Sequence, residues 1–380
     1  MNSSSMRVAH LTSVHPRSDI RVFYKECCSL SANGYDITLV VADGLGDAQV
    51  DGVTVVDVGR PRGRLDRLVS TSRRVFARAI ELDAGIYHLH DPELLPVGLW
   101  LKHLGKTVVF DAHEDVPRQL LGKHYLQPWV RRTLSVAFER FERWACARLD
   151  AIITATPFIA DKFLRVNPRT VSISNFPILG ELDSNLPWAE KANEVCYVGS
   201  IATIRGIKEM TRAMGLCQTD VRLNLVGGFA EKGLETEVQS YPGWSRVNPW
   251  GVQDRAGVRR ALQQSVAGLV TLHPVINYLD ALPIKMFEYM AAGIPVVVSD
   301  FPLWAGIVNE AQCGVCVDPL NPAGIAAAID QLMTQPERAR RMGENGRLAV
   351  AKKYNWSTEE QKLLTLYENL TLQRSLATAI

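Results

Sequence analysis

The chain of 380 residues is long enough for two domains, and its 47% apolar and 22% charged residues are typical of a globular protein. A net charge of +2 does not favour nucleic-acid binding, so we expect no nucleic-acid partner. No apolar run approaches the roughly 18 residues of a membrane span. The start, MNSSSMRVAHLTS, lacks the basic and apolar regions of a signal peptide, which predicts a cytoplasmic protein.

Apolar β-type runs alternate with helical patterns through the first half of the chain. The runs are MRVAHLTS (6–13), YDITLVVA (35–42), residues 53–58, GIYHLH (85–90), KTVVFD (106–111) and DAIITA (150–155). Strands that are apolar on both faces, with helices between them, predict a parallel sheet covered by helices.

A polar, proline-containing stretch at 174–193 indicates a linker, after which the same rhythm restarts. The second set of strands is predicted at 194–199, 221–226, 266–272, 294–298 and 314–317. We therefore predict an α/β protein with two doubly wound, Rossmann-like domains, 1–178 and 179–355. In such folds the ligand cleft lies at the carboxyl ends of the strands.

Several common enzyme motifs are absent from the sequence. No GxGxxG follows the first strand, which argues against a dinucleotide-dependent dehydrogenase, and neither GxSxG nor a P-loop is present. Cys313 and Cys316 form a CxxC, but it lies in a predicted strand without a second pair, so core thiols are favoured over a redox or metal site.

The stretch DALPIKMFEYMAAGIPVV (280–297) predicts a loop, a helix and a buried strand. Pro283 fits the first helical turn and Gly293 fits the C-terminal cap. At the helix start, Lys285 and Glu288 have two interpretations: a phosphate contact with a hydroxyl contact, or a surface ion pair at i,i+3.

The stretch YVGSIATIRGIKEM (197–210) turns at Gly199 and places Arg205 at the start of the next helix. A cation at the positive end of a helix is unfavourable unless an anion lies between them. Arg205 and Lys285 follow two strands of one sheet, so we expect both side chains to converge on a phosphate group.

Two polar stretches of the first half, HLHDPELLP (88–96) and FDAHEDVPRQ (110–119), lie where strands end. His90, Asp91, His113, Glu114 and Asp115 allow two interpretations. One is a metal cluster, although the cleft already has cations for the phosphates, and the other is a purely structural role of His90 and Asp91.

On these residues the chain resembles the retaining, nucleotide-sugar-dependent glycosyltransferases of the GT-B fold, family 4, of the bacterial cell-surface polysaccharide type. The resemblance runs from VAHLTS to YNWSTEEQKLLTLYENL, and its most specific part is the acidic pair Asp280 and Glu288. It implies that residues 356–380 form a helix that packs back on the N-terminal domain.

The resemblance also implies a role for each candidate residue. Glu288 would bind the donor ribose and Asp280 the transferred sugar, while Arg205 and Lys285 would hold the diphosphate of a UDP or GDP sugar. Gly199 and Ser200 would approach the phosphates through their backbone, and His113 would contact the sugar near the reacting carbon. The implied catalytic set is Arg205, Lys285, His113 and Asp280, and the acceptor-side candidates are His15, Asp19, Arg21, His90, Asp91 and Glu114. Neither a metal nor a separate cofactor is expected.

The sequence departs from the family pattern in three places. Asp280 replaces the usual glutamate, Ser200 stands where many members carry a basic residue, and SVHPRSDIRVF replaces the usual N-terminal glycine pair. A nucleotide-sugar epimerase and a catalytically silent sugar-binding subunit therefore stay open as alternatives to a transferase.

A lipid-linked or glycan acceptor at the inner face of the membrane is suggested by two segments of the first domain. On an ideal helix, Arg64, Arg67, Arg74 and Arg78 share one arc beside an apolar arc, and residues 125–144 combine aromatic and basic side chains. Solvated faces of ordinary core helices are the alternative for both segments.

Overall fold

The computed structural model describes residues 5–122, 126–183 and 186–378, which form two compact units. The first unit contains residues 1–175 together with 358–380, and the second contains residues 176–357. The predicted boundaries at 178 and 355 differ from these by three and two residues. Phe176 belongs to the second unit because its ring packs against Phe287 and Tyr354, at centroid distances of 4.7 and 5.4 Å.

The first unit is built on a sheet of eight described strands in the order β3-β4-β2-β1-β5-β6-β7-β8. All neighbouring strands are parallel except β3 and β4. The strands are β1 Arg7–Leu11, β2 Asp36–Val41, β3 Ala48–Val50, β4 Val53–Asp57, β5 Ile86–Leu89, β6 Thr107–Ala112, β7 Ala151–Thr154 and β8 Thr170–Ser172.

The helices of the first unit begin with a π-helical turn at Ile20–Cys27, and another π-helical turn, Arg67–Thr71, joins α2 to α3. The α-helices are α1 Cys28–Ala32, α2 Arg64–Asp66, α3 Ser72–Leu82, α4 Leu95–His103, α5 Val116–Leu121, α6 Pro128–Cys146 and α7 Pro157–Leu164. Proline in the first turn of α4 to α7 fixes where each begins, since its missing N–H has no helical partner there.

The second unit is built on a parallel sheet of six described strands in the order β11-β10-β9-β12-β13-β14. The strands are β9 Glu194–Val198, β10 Arg222–Val226, β11 Val247–Gly251, β12 Ala267–Val270, β13 Val296–Ser299 and β14 Gly314–Val317. The helices are α8 Ile207–Leu216, α9 Leu234–Gln239, α10 Arg255–Gln264, α11 Ile284–Ala291, α12 Pro302–Ala311, α13 Pro322–Thr334 and α14 Pro336–Lys352.

The sequence analysis missed three strands, and each of them lies at an edge of its sheet. These are β3, β8 and β11. Edge strands are buried on fewer sides and need less apolar sequence, and β11 even contains Pro249, which a central strand would exclude. The central strands, by contrast, lie where their continuous apolar runs predict them.

The predicted linker at 174–193 is partly wrong in character. Phe176 and Leu182 are buried, 6% and 1% exposed, and both belong to the core of the second unit. Part of this segment is therefore packed into the core of the second unit, whereas Leu179, Gly180 and Asp183 are exposed.

Helix α15 begins at Trp356 and extends to Thr378, and from Thr358 it belongs to the first unit. Glu359 accepts a hydrogen bond from the Ser174 amide at 2.8 Å, and the Tyr367 hydroxyl lies 2.9 Å from Nδ1 of His88. Both contacts attach α15 to the ends of strands in the first unit.

Two further expectations concern cysteine chemistry and membrane spans. Cys313 and Cys316 are free thiols, and burial raises the pKa of Cys313 to about 12, so the core-thiol interpretation fits this pair. Among the described residues, no helix combines the length and the apolar character needed to cross a bilayer.

Candidate functional site

The turn that follows β9 in the second unit can be made only by glycine. Gly199 has φ +129°, and a Cβ there would lie 3.0 Å from Nζ of Lys285 and 3.8 Å from Nη1 of Arg205. On its other side, Gly227 comes so close that a Cβ at 227 would lie 1.9 Å from the Gly199 oxygen. The two predicted cations therefore do converge, and they meet at the Gly199 turn.

Lys285 lies in the first turn of α11, and its ammonium nitrogen is buried although the side chain as a whole is partly exposed. Nζ stands 3.8 Å from the ring centroid of Tyr197 and has no hydrogen-bond partner within the described residues. Burial, followed by the charge of Arg205, lowers the pKa of Lys285 to about 7. The interpretation of Lys285 and Glu288 as a surface ion pair is therefore wrong.

The helix that carries Lys285 differs from the prediction at one end and agrees at the other. Pro283 is the N-cap residue rather than the first helical residue. At the other end Gly293, with φ +71°, donates to the Met290 oxygen while Ile294 donates to the Tyr289 oxygen, which is the Schellman arrangement.

Arg205 does not start α8, as was predicted, but closes a short 3₁₀ turn, Thr203–Arg205, just before it. Gly206, with φ +80°, separates this turn from α8. Only glycine fits there, because a Cβ would lie 2.0 Å from the Thr271 oxygen. The Arg205 Nη1 donates to the carbonyl oxygen of Ser200 at 3.2 Å. The Ser200 carbonyl is thus already used within the turn.

Glu288 is 7% exposed and has an ion-pair partner that the sequence analysis missed. Its Oε1 accepts from Nη1 of Arg255 at 2.8 Å, and Nε of Arg255 donates to Glu181 at 2.6 Å. Although burial acts in the opposite direction, Glu181 and Glu288 raise the pKa of Arg255. A separation of 33 residues between Arg255 and Glu288 gives no sequence signal for this pair.

The loop from β12 to α11 carries other polar groups that lack partners. Oγ1 of Thr271 and Oδ1 of Asn277 are buried without a hydrogen-bond partner, as is Nζ of Lys285. Asp280 lies on the turn at 276–280 in the same loop and is partly exposed. Within the described part of the second unit, all unpartnered buried polar side-chain atoms come from residues 271–285, so this loop and the start of α11 are the candidate site for a polar ligand.

In the first unit, the ends of β1, β5 and β6 bring several of the predicted residues together. Nε2 of His113 lies 2.8 Å from Oδ2 of Asp111 and 3.4 Å from Nδ1 of His90, and its ring lies 4.8 Å from that of His15. His15 in turn lies between Asp19, at 3.2 Å, and Asp91, at 3.5 Å. Burial alone would lower the pKa of His15, but the nearby carboxylates of Asp19 and Asp91 raise it above its ordinary value.

Three of the predicted acceptor-side residues have contacts within the first unit. Arg21 is 4% exposed and donates two hydrogen bonds of 2.8 Å to Asp111, so it does not face an acceptor. Asp91 holds the loop after β1 by accepting from Thr12 and from the Ser13 amide, and Asp19 caps the first π-helical turn.

The proposed metal cluster of five residues is not assembled. Asp91 is used as just described, Glu114 is exposed and bonded to Gln119, and Asp115 caps α5 and pairs with Lys162. Two smaller groups of possible ligand atoms are present among the described residues. One is His90, Asp111 and His113, which contains two of the five predicted residues. The other is His10, Glu26, His88 and His90, which the sequence analysis did not connect because β1, β5 and the first π-helical turn are far apart in the chain.

Lys285 gives a stability prediction with a defined sign. The pKa of Lys285 is about 7 in the folded chain and about 10.5 in the unfolded chain. Between these two pH values Lys285 must lose a proton when the chain folds, and below about pH 7 folding buries its positive charge; both cost free energy. Lys285→Met should therefore stabilise the protein by a few kcal/mol below about pH 7, and the gain should shrink as the pH rises towards about 10.5. Urea unfolding across this range measures it.

The matched control is Lys208→Met, because Lys208 forms a surface pair with Glu237 at 2.7 Å. That change should alter the free energy of unfolding by less than about 1 kcal/mol at any pH. Destabilisation by Lys285→Met near pH 6 would contradict the structure's account of an unpaired buried ammonium group.

Comparison with known proteins agrees with this arrangement of two units. Residues 21–177 match the family model "Glycosyl transferase 4-like domain", and residues 180–349 match "Glycosyl transferases group 1". A phosphatidyl-myo-inositol mannosyltransferase of Mycobacterium leprae is 24% identical over 322 residues, which are 82% of this chain and 80% of that protein.

Solved structures show the same fold. A sucrose-phosphate synthase from Thermosynechococcus elongatus superposes with a TM-score of 0.77 at 20% identity, covering 97% of this chain and 100% of the other. The Anabaena protein HepE in complex with UDP-glucose superposes with a TM-score of 0.74 at 15% identity, covering 96% and 100%. The predicted GT-B fold is thereby confirmed, and the chain belongs to the glycosyltransferases, with a family 4-like first half and a group 1 second half.

Proposed function

We propose that the protein is a retaining glycosyltransferase that moves a sugar from a nucleoside diphosphate to a hydroxyl of a glycan or lipid-linked acceptor in cell-surface polysaccharide synthesis. The observation that carries this proposal is the buried, unpartnered ammonium group of Lys285 beside Arg205 and the Gly199 turn. Two cations that approach the same glycine turn fit a diphosphate. The solved complex of HepE with UDP-glucose supports a nucleotide-sugar donor. We propose a UDP or GDP sugar.

The donor would be held along the loops that follow β9 and β12. Lys285 and Arg205 would bind the diphosphate, and the Gly199–Ser200 turn would let its backbone come close. Glu288 would bind the ribose with the oxygen that Arg255 does not use, since Arg255 occupies Oε1. Asp280, on the turn before α11, would accept hydrogen bonds from the transferred sugar.

The chemical step would rest on charge stabilisation at the leaving group. As the bond from the sugar to the diphosphate breaks, negative charge grows on the phosphate oxygens, and cations fixed in advance stabilise it without reorganisation. Binding of that anion would also restore the proton that burial disfavours on Lys285. The acceptor hydroxyl would attack from the face that the nucleotide leaves, giving its proton to a departing phosphate oxygen, and His113 would contact the sugar.

The first test of this function removes each cation. Arg205→Ala and Lys285→Ala should each lower kcat for nucleotide release by at least about 10²-fold, because each removes a charge contact that strengthens in the transition state. Lys208→Ala, which removes a surface lysine from the neighbouring α8, is the matched control and should keep normal turnover.

Three results would decide between the proposed function and its alternatives. Near-normal turnover by both cation variants would refute the site. Donor turnover without any acceptor, with an altered sugar as product, would favour an epimerase. No turnover by the wild type with UDP or GDP sugars would favour a silent binding subunit.

The second test concerns metal ions. Because Lys285 and Arg205 supply the positive charge that a divalent ion supplies elsewhere, activity should survive EDTA without loss. A strict requirement for Mg²⁺ or Mn²⁺, measured by add-back after chelation, would contradict this assignment of roles.

We further propose that the first unit binds an anionic membrane surface, but through α6 rather than through the predicted arginine arc. Three of the four arginines in that arc are already bonded within the protein: Arg67 to Glu93, Arg74 to the Gly59 carbonyl and Arg78 to Glu81. The π-helical turn at Arg67–Thr71 also shifts the helical register on which the arc depended.

Helix α6 offers a better surface. Trp129 and Trp144 are 72% and 49% exposed, and Arg132, Arg140 and Arg143 are exposed on the same helix. Tryptophan with basic residues is the combination that favours the interface of an anionic bilayer. The predicted segment began at Tyr125, which lies outside the described residues.

Removal of the positive charges tests this surface. Replacing Arg132, Arg140 and Arg143 by glutamine should weaken sedimentation with phosphatidylglycerol vesicles about 10²-fold at low salt, at about 1 kcal/mol for each arginine. The same change at Arg259, Arg260 and Arg341, which are exposed in the second unit, is the control and should have little effect. A wild type that ignores anionic vesicles at low salt would favour a soluble acceptor.

A further inference from the structure

The carboxylate of Glu288 is held by a residue from another helix of the second unit. Glu288 is 7% exposed, and its Oε1 accepts from Nη1 of Arg255 at 2.8 Å. Arg255 is the first residue of α10, which follows β11, whereas Glu288 lies on α11, which follows β12. Lys285, three residues before Glu288, is not its hydrogen-bond partner, because Nζ has none within the described residues. The contact that orients Glu288 therefore comes from α10.

Arg255 is itself held from a second side. Its Nε donates to Oε1 of Glu181 at 2.6 Å. Glu181 directly precedes Leu182, which is 1% exposed and belongs to the core of the second unit, so the backbone that carries Glu181 is anchored. A guanidinium is planar and its N–H donors have fixed directions, so contacts to two carboxylates determine how it lies. We call Glu181, Arg255 and Glu288 the guanidinium bridge.

The backbone that carries Arg255 is fixed by contacts outside the guanidinium bridge. Oδ1 of Asp254 accepts from the Gly257 amide at 2.8 Å and so caps α10. Nε2 of Gln253 donates to the carbonyl oxygen of Trp250 at 2.6 Å, which closes the turn between β11 and α10. Because these contacts do not involve the Arg255 side chain, we expect the start of α10 to survive its replacement.

The guanidinium bridge orders the Glu288 carboxylate before any ligand arrives. A free glutamate samples several rotamers, and ordering them on binding costs affinity. The contact with Arg255 removes this cost and gives the buried negative charge a partner. Since Arg255 uses Oε1, the other oxygen, Oε2, is left to accept a hydrogen bond from a ligand.

We propose that Arg255 is a positioning residue of the donor site: held by Glu181, it fixes the orientation of the Glu288 carboxylate, and this orientation makes the site prefer a ribose nucleotide over one that lacks the 2′- or the 3′-hydroxyl. The inference rests on the proposed function, which places the donor ribose at Glu288. In this role neither Arg255 nor Glu181 needs to touch the nucleotide.

Two rival roles would use the same ion pair differently. The side chain of Arg255 is 36% exposed, so a direct contact with the nucleotide is the first rival. Affinity would then depend on Arg255 even when Glu288 is replaced. The second rival is a mask, in which Arg255 competes with the ribose for Glu288, and its removal would then tighten binding.

The test is calorimetric titration of the full chain with UDP, 2′-deoxy-UDP and 3′-deoxy-UDP, or with the same series of GDP if UDP does not bind. The wild type should prefer UDP over at least one deoxy form by about 10-fold or more, since a hydrogen bond to a charged group contributes this much. Arg255→Gln should weaken UDP binding about 10-fold and remove most of the preference, because the deoxy form lacks the contact that is lost. Arg259→Gln, at an exposed position on the same helix, is the matched control and should change neither value.

A double-mutant cycle shows whether Arg255 acts through Glu288. If it does, the variant with both Arg255→Gln and Glu288→Gln should bind UDP as Glu288→Gln alone does. A further loss in the double variant would establish a direct contact and overturn the proposal. Unchanged or tighter UDP binding by Arg255→Gln, or an equal loss for UDP and both deoxy forms, would overturn it as well.

Two further variants test the shape of the guanidinium bridge. Arg255→Lys keeps a positive charge but has no planar fork to hold two carboxylates, so it should also lose the preference. It replaces Arg255→Gln if that variant does not fold. Glu181→Ala frees one side of Arg255 and should lose a smaller part of the preference, and full retention would remove Glu181 from the proposed role.

Steady-state kinetics separate this inference from the proposed function. Arg255→Gln should raise KM for the donor and leave kcat nearly unchanged, because a ribose contact is made equally in the ground and transition states. A wild type that binds UDP with the ribose preference but transfers no sugar would refute the proposed function and leave the inference intact. Normal turnover with an unaltered Arg255→Gln variant would refute the inference alone, and a wild type that binds neither UDP nor GDP would refute both.

Discussion

Parallel strands place their carboxyl ends at one edge of a sheet, and this constraint decides where polar chemistry collects in both units. In the second unit, the ends of β9, β10 and β12 supply Gly199, Gly227 and the loop from Thr271, and in the first unit the ends of β1, β5 and β6 supply the histidines. The backbone groups left unpaired at these ends, and the helices that start there, favour polar ligands.

The two edges handle buried charge in opposite ways. In the first unit, every nitrogen of the Arg21 guanidinium donates a hydrogen bond of 2.8 Å, to Asp111 or to the Ile173 carbonyl. In the second, the ammonium group of Lys285 is left with an aromatic ring and another cation. Satisfied buried charges rigidify a structure, whereas an unsatisfied one is costly until a ligand arrives. We therefore expect the buried charges of the first unit to rigidify its sheet edge, and Lys285 in the second unit to be stabilised when an anion binds.

The sequence predicted the parts of this structure that depend on local pattern. The alternation of apolar runs located the central strands, the glycine at 293 located the end of α11, and the two turns of one sheet predicted that Arg205 and Lys285 meet. Family resemblance added the fold and the family, which the comparisons confirm.

What the sequence could not show depends on distant contacts. Arg255 and Glu288 are 33 residues apart, Arg21 and Asp111 are 90 apart, and Tyr367 and His88 are 279 apart. No periodicity links such pairs, and the first two change the interpretation of a predicted residue: Arg21 is withdrawn from the surface, and one oxygen of Glu288 is already used. The prediction of the edge strands failed for a related reason, because such strands are specified by pairing with a neighbour more than by their own composition.

The place of α15 has a consequence for the order in which the chain can fold. Tyr367 is completely buried between His88 and Tyr35 of the first unit, yet the whole second unit lies between these residues in the chain. During synthesis, the sheet of the first unit leaves the ribosome well before Tyr367, whose hydroxyl contacts the buried His88. Until then Nδ1 of His88 lacks its hydrogen-bond partner, and the groove for α15 is open. The first unit is thus begun first and finished last, so its nascent form is the one that a chaperone would need to protect.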